Sequence, residues 1–260
     1  MNRIFAIFFL LFLSIHNVRA EAFLPFDGPG PLAVLVETDP WLMVIGSDTP
    51  RFVLYEDGQV IYRKKGGAHY LWKQLTPDEL QKLKVRLTSF GPYRKGRQSI
   101  DVAAVSDQPE TKLYLNFDNT ELVASIYGLN FADESQEEGR SKTPLPVELR
   151  KLHTFLSSLE FEGAKEWTPK YIEAIAWDYG YAVDTSVSWP KQWPALNSPT
   201  TIKKDSRYSI FMPGGELKNV VALLRTRKER GAIDIDGKKF AVSVRPVFPS
   251  EPVWRKALFD

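Results

Sequence analysis

None of the 260 residues is a cysteine. A chain like this has no disulfide to staple it, so its fold must be held by burial and hydrogen bonding alone. The same absence excludes thiol catalysis, cysteine-ligated zinc or iron–sulfur clusters, and lipid attachment through an N-terminal cysteine. Secreted eukaryotic proteins of this size often carry disulfides, so a cysteine-free exported chain tilts toward a bacterial periplasm. An apolar fraction of 43% and a charged fraction of 25% are ordinary for a globular protein.

Export itself is read from the first twenty residues. Arg3 gives a positive start, Ile4 to Ile15 is apolar except for Ser14, and Val18-Arg19-Ala20 is a small-residue cleavage site. This is the layout of a secretory signal peptide at 1–20, too short to span a bilayer well. Cleavage after Ala20 leaves enough chain for one large domain or two small ones with real cores. Arg3 and Arg19 leave with the leader, so the basic residues fall from 34 to 32, equal to the 32 acidic ones. A neutral mature chain argues against general nucleic-acid binding, which depends on released counterions. No second apolar stretch approaches eighteen residues, so no membrane span is expected after cleavage.

Hydrophobic periodicity then sets the organisation. Glu21 to Pro31 reads as an extended Pro- and Gly-rich lead-in. Leu32–Glu37 and Trp41–Ile45 read as short strands. Arg51–Tyr55 and Gln59–Tyr62 flank Glu56-Asp57-Gly58, an Asp-Gly hairpin signal. Thr76, Pro77 and Glu79 form a capping-box start for a helix whose apolar stripe is Leu80, Leu83, Leu87 and Phe90. Gly91-Pro92 ends it. A second hairpin turns at Asp118-Asn119, with Leu113, Leu115 and Phe117 alternating on one strand and Leu122, Ala124 and Ile126 on the other. Asn130–Lys142 reads as an acidic loop. A second helix is expected from about Thr143–Pro146, with Leu149, Leu152, Leu156 and Leu159 as its stripe. Beyond Gly163, Tyr171–Tyr179 fits either a strand or a helix, and the alternation of Ile175, Trp177 and Tyr179 favours the strand; an irregular Pro-rich stretch, a strand (Arg207–Met212), a helix after Pro213-Gly214-Gly215 and a final hairpin around Asp236-Gly237 follow. The expectation is an α+β fold of antiparallel hairpins covered by helices, in two ββα-type units at 21–163 and 164–260.

Several segments resemble a known kind of protein. "RFVLYEDGQVIYR" (51–63), "LTPDELQKL" (75–83), "SDQPETKLYL" (106–115), "IYGL" (126–129) and "RPVFPSE" (245–251) occur in this order, with a Trp-Pro segment between the last two. The chain is similar in these to an exported bacterial family of unknown function whose members are often lipoproteins. It differs in lacking the lipidated cysteine. The resemblance implies export and transfers no catalytic residue.

Candidate chemistry is sparse. Outside the leader only His69 and His153 remain, predicted in a loop and on a helix, and no His-x-x-x-His or Gly-x-Ser-x-Gly spacing exists. Gly28–Gly30, Gly66-Gly67 and Gly214-Gly215 match no phosphate loop, and a turn into a helix is the default for Gly214-Gly215. Asp234-Ile235-Asp236-Gly237 resembles part of a calcium loop, but Arg245 stands where the distal Glu belongs. Arg225, Arg227, Lys228 and Arg230 fit a helix C-terminus complementing its dipole. No cofactor or metal is therefore expected.

The strongest binding candidate is Trp189-Pro190-Lys191-Gln192-Trp193-Pro194. Two tryptophans in a Pro-stiffened loop would offer a flat platform, joined by Trp177 and Tyr179 at the seam between the halves. The competing default packs both indoles as lids over the core. The expected function is a non-enzymatic exported module that binds a peptide, protein or envelope component. The alternatives are an envelope hydrolase using carboxylates and a periplasmic inhibitor or immunity protein.

Overall fold

The computed structural model describes residues 23–38, 48–64, 66–67, 69–103, 105–129 and 143–260. The leader, the strand expected at Trp41–Ile45 and the acidic loop at 130–142 lie outside the described residues.

The architecture is α+β, built on two sheets. The first runs β1 (Pro31–Thr38), β2 (Pro50–Tyr55), β3 (Gln59–Arg63) and β4 (Tyr70–Gln74) as a meander, then helix α1 (Pro77–Thr88), β5 (Arg97–Asp101), β6 (Glu110–Phe117), β7 (Thr120–Tyr127), helix α2 (Val147–Ser158) and β8 (Lys165–Glu166). Its strand order is β5-β7-β6-β1-β2-β3-β4-β8. The β2–β3 hairpin turns where the sequence predicts, with Gly58 at φ +82°, a conformation side chains rarely adopt. The α1 start is the predicted capping box: Glu79 N–H donates to Thr76 Oγ1 at 3.3 Å and Thr76 N–H donates to Glu79 Oε2 at 2.8 Å.

The second sheet comprises β9 (Tyr171–Asp178), β10 (Val187–Ser188), β11 (Thr201–Lys204), β12 (Arg207–Pro213), β13 (Ile233–Ile235) and β14 (Lys238–Pro246). Its order is β10-β13-β14-β9-β12-β11. A 3₁₀ turn at Gly214–Glu216 leads into α3 (Leu217–Thr226), which covers one face. Gly214 is there for space: a Cβ would lie 1.7 Å from the Pro169 carbonyl oxygen. Its N–H donates to Lys170 O at 3.0 Å and so is not offered to an anion.

Several elements differ from the sequence expectation. β4 and β5 were not predicted, so the first sheet is not simply hairpin, helix, hairpin, helix. Two strand pairs, β5–β7 and β10–β13, are parallel, so the sheets are mixed rather than built of antiparallel hairpins alone. The largest addition is helix α4 (Glu251–Phe259). Together with β8 it belongs to the first sheet although both follow Gly163 in the chain.

That helix explains an oddity of the first sheet. β2 is buried at every position, which suits a strand covered on both faces. One face carries Ala33, Leu35, Phe52, Leu54, Leu113 and Leu115 beneath α1 and α2. The other carries Val34, Val36, Val53, Tyr55 and Ile61 beneath Phe248, Trp254 and Leu258. Successive side chains alternate between these two layers along every strand. Trp254 is fully buried in the second layer. We expect Trp254→Ala to lose about 3–5 kcal/mol, as large aromatic truncations do, read as a lowered urea midpoint. A midpoint equal to the parent's would show that α4 does not close this face.

Candidate functional site

The four aromatic residues singled out from sequence are not brought together. Trp189 is 7% exposed and packs in the core of the second sheet with Ala174, Ala176 and Ile233. Its indole N–H donates to Pro194 O at 2.9 Å, and its ring meets Trp193 edge-on at 4.9 Å. Trp193 is half-buried against the same core. Trp177 follows Ala176 in β9, so strand alternation turns it to the opposite face. Tyr179 lies just past that strand and packs edge-on against Tyr181 at 4.8 Å. Asp234 and Asp236, the calcium-loop fragment, serve the β13–β14 turn: Asp234 accepts from Gly237 N–H and Asp236 accepts from Leu196 N–H.

A sizeable concavity lies elsewhere. A groove of about 900 Å³ runs between the C-terminal end of α1 and the N-terminal part of α2. Phe90 and Phe155 form its apolar floor, ring centroids 5.2 Å apart. The Arg86 guanidinium lies 4.7 Å over Phe90 and 5.6 Å from Phe155. Arg150 and Lys151 add positive charge to the wall and Glu148 is the one acid. Through Gly91-Pro92 the groove continues into a smaller polar cleft of about 530 Å³, which Lys95, Asp118 and Glu121 line. This volume and this mix of aromatic floor and few charged groups suit a ligand site. Sequence reasoning placed Phe90 on the core stripe and Arg86 on the wet side. The groove exists because α2, sixty residues later, lies alongside them; an Arg four residues before a Phe was the only local signal.

A third grouping lies where the central strands β1 and β2 meet α2. The Arg51 guanidinium donates to Glu37 Oε2 at 2.8 Å and to Ser157 O at 2.9 Å. His153 Nε2 meets Glu37 Oε1 at 2.9 Å. Burial pushes the Glu37 carboxyl up, but the hydrogen bonds and charges of His153 and Arg51 outweigh it and hold the carboxyl at about 2. The histidine is thereby committed to a carboxylate, and no serine, threonine or water-activating group is hydrogen-bonded to its ring among the described residues. On β6 and β7, Lys112 Nζ is 3.4 Å from Ser125 Oγ, yet 2.8 Å from Glu110, whose carboxyl it helps hold low. A lysine so paired is engaged by a carboxylate rather than poised beside the serine as its base.

The seam between the sheets carries a cluster of ion pairs with a buried centre. Arg245 of β14 pairs with Glu173 of β9 at 2.5 Å and with Glu251 of α4 at 2.6 Å. Arg255 joins Glu251 at 3.4 Å and Asp48 at 2.5 Å. Burial disfavours the Arg245 charge, but Glu251 and Glu173 more than compensate and raise its pKa.

No family model, curated protein or solved structure matches this chain.

Glu37 generates a pH prediction. Its folded value of about 2 lies below the unfolded 4.5. Its contribution is therefore present above pH 4.5 and lost as pH falls toward 2. Glu37→Gln should cost on the order of 2 kcal/mol near neutrality, less than the full shift because the carboxylate is partly solvated. Urea titrations should show the parent–variant gap closing as the pH drops through this window. A gap that does not change with pH would mean the carboxylate is not held by these partners.

Proposed function

We propose that this chain is an exported, non-catalytic binding module, and that the groove between α1 and α2 receives an acidic peptide segment bearing apolar side chains. The observation that carries the reading is the pairing of an aromatic floor, Phe90 and Phe155, with the cations Arg86, Arg150 and Lys151 around it. The Arg86 guanidinium sits over the rings, so a bound carboxylate would meet a cation already held beside the aromatic floor. Export is supported by the leader pattern at 1–20 and by the family resemblance of the hairpin and cap segments. Trp189 and Trp193 serve stability rather than binding.

A hydrolase built on the buried pair Glu173 and Glu251 finds no support in this geometry. Glu173 and Glu251 approach each other only through Arg245, which neutralises both, and Glu251 is fully buried. Neither is placed to protonate a leaving group or to activate water.

Two outcomes follow. Exported protein should begin at Glu21 by N-terminal sequencing or intact mass; a species retaining residues 1–20 would remove the case for export. Calorimetric titration with short peptides alternating Glu and Phe should show binding, with no cleavage of the peptide by mass spectrometry. Arg86→Glu should weaken it by about tenfold or more, the scale of one charge-assisted contact, at unchanged melting temperature. Equal binding of a Lys and Phe peptide, or no effect of Arg86→Glu, would sink the groove assignment.

A further inference from the structure

The chain is electrically lopsided. Residues 164–260 contain sixteen Lys and Arg against eleven Asp and Glu, whereas residues 21–163 contain sixteen against twenty-one. Part of the positive excess collects at one rim of the second sheet. Lys203, Lys204 and Arg207 flank the β11–β12 turn, and Lys238 and Lys239 open β14 beside the end of β9. All five are exposed. Lys204, Arg207 and Lys238 make no side-chain hydrogen bond or ion pair among the described residues. Asp178, Asp205 and Asp236 share the rim, and Asp236 is occupied by Leu196 N–H.

The same rim carries an exposed apolar tip. Tyr181 is 78% exposed and Val183 is 65% exposed, on the loop leaving β9. Two large apolar side chains this exposed, two residues apart on one loop, invite a partner surface. The loop is anchored between cationic segments. Tyr179 N–H donates to Lys239 O at 3.0 Å, and Lys239 Nζ donates to Ala182 O at 3.4 Å. On the other side Asp184 N–H donates to Arg230 O, and Arg230 N–H donates to the Asp184 carboxylate at 3.1 Å. Tyr179 braces Tyr181 edge-on. A tyrosine and a valine are thus presented at a fixed height between Lys238–Lys239 and Lys228–Arg230.

We propose that this rim docks on an anionic phospholipid surface, with Tyr181 and Val183 entering the headgroup layer and the surrounding lysines and arginines meeting lipid phosphates. Tyrosine favours the membrane–water interface because one end of its ring is apolar and the other wet. Long Lys and Arg stems let their charges reach headgroups while the tip inserts. An exposed tip between cationic segments suits a fluid surface, whereas the groove and the cleft described above both lie against the first sheet. The acidic first half is repelled by the same surface, so the charge split orients the molecule.

The test uses the full chain, with identical residues 1–22 in every variant, and vesicles of phosphatidylglycerol with phosphatidylcholine or of phosphatidylcholine alone. Co-sedimentation should favour the anionic vesicles and weaken at high salt. Lys238→Glu with Lys239→Glu should reduce binding by at least about 25-fold, from roughly fivefold per cation near an anionic surface. Lys82→Glu, exposed on α1, should have little effect. Because the chain lacks cysteine, a single environment-sensitive dye can be placed through Tyr181→Cys or Lys82→Cys. Its emission should shift to the blue on anionic vesicles at 181 and not at 82. This reports the rim even if the N-terminal segment also touches lipid. An unshifted label at 181, or binding of polyglutamate that matches the vesicles, would overturn the proposal.

Discussion

Arg245 is the residue on which the arrangement of the two sheets depends. It rises from β14 of the second sheet, pairs with Glu173 beside it, and reaches Glu251 in the first turn of α4. Its side chain is 8% exposed and that of Glu251 is fully buried. A lone buried charge is costly, whereas one paired on two sides is tolerated. The pair acts less as a source of net stability than as a register: α4 can lie on the first sheet only where Glu251 meets Arg245. The lead-in reinforces this point, since Ser250 N–H donates to Phe26 O at 2.7 Å and Ser250 Oγ donates to Gly28 O. Removing Arg245 would strand two carboxylates together, which is why the second layer of the first sheet and the second sheet are energetically one problem.

This seam also marks the limit of what the sequence discloses. The Thr76 capping box, the Asp57-Gly58 hairpin and the β9 strand were legible because each is decided within a few residues. β4 was missed because Tyr70 to Gln74 is short and only half-buried, so its alternation is weak. Helix α4 was missed because its signal is a single Trp254–Leu258 pair over nine residues. What makes it a helix is the apolar surface of Val34, Val36, Val53 and Ile61 waiting about two hundred residues earlier. Tertiary burial supplied the stability that local propensity did not.

The candidate site shows the same division. Alternation in Tyr171–Asp178 predicts a strand, and once a strand is granted, Trp177 and Ala176 must face opposite ways. A platform joining Trp177 to Trp189 was therefore already in tension with the predicted strand, because Trp189 packs with Ala176. The groove between α1 and α2 had no comparable local trace. It forms between two helices at the end of the α1 stripe, where Phe90 meets Arg86, Lys151 and Phe155 from outside the two stripes. Stripe residues are fixed by core burial, and edge residues by the neighbour's position, which periodicity does not report.

Topology then relates the two proposed surfaces. α1 and α2 cover one face of the first sheet; α4, Phe248 and Trp167 cover the other, and the second sheet is attached on that side through Arg245 and the Phe23–Phe26 lead-in. The groove therefore opens on the face turned away from the second sheet, while the Tyr181 rim belongs to the second sheet itself. A molecule resting on lipid by that rim keeps its groove clear of the membrane. Its acidic half, repelled by anionic headgroups, holds the groove outward. A free acidic peptide would be repelled by the membrane too, so a cationic groove on the outward face would be the place on the assembly where such a segment meets opposite charge.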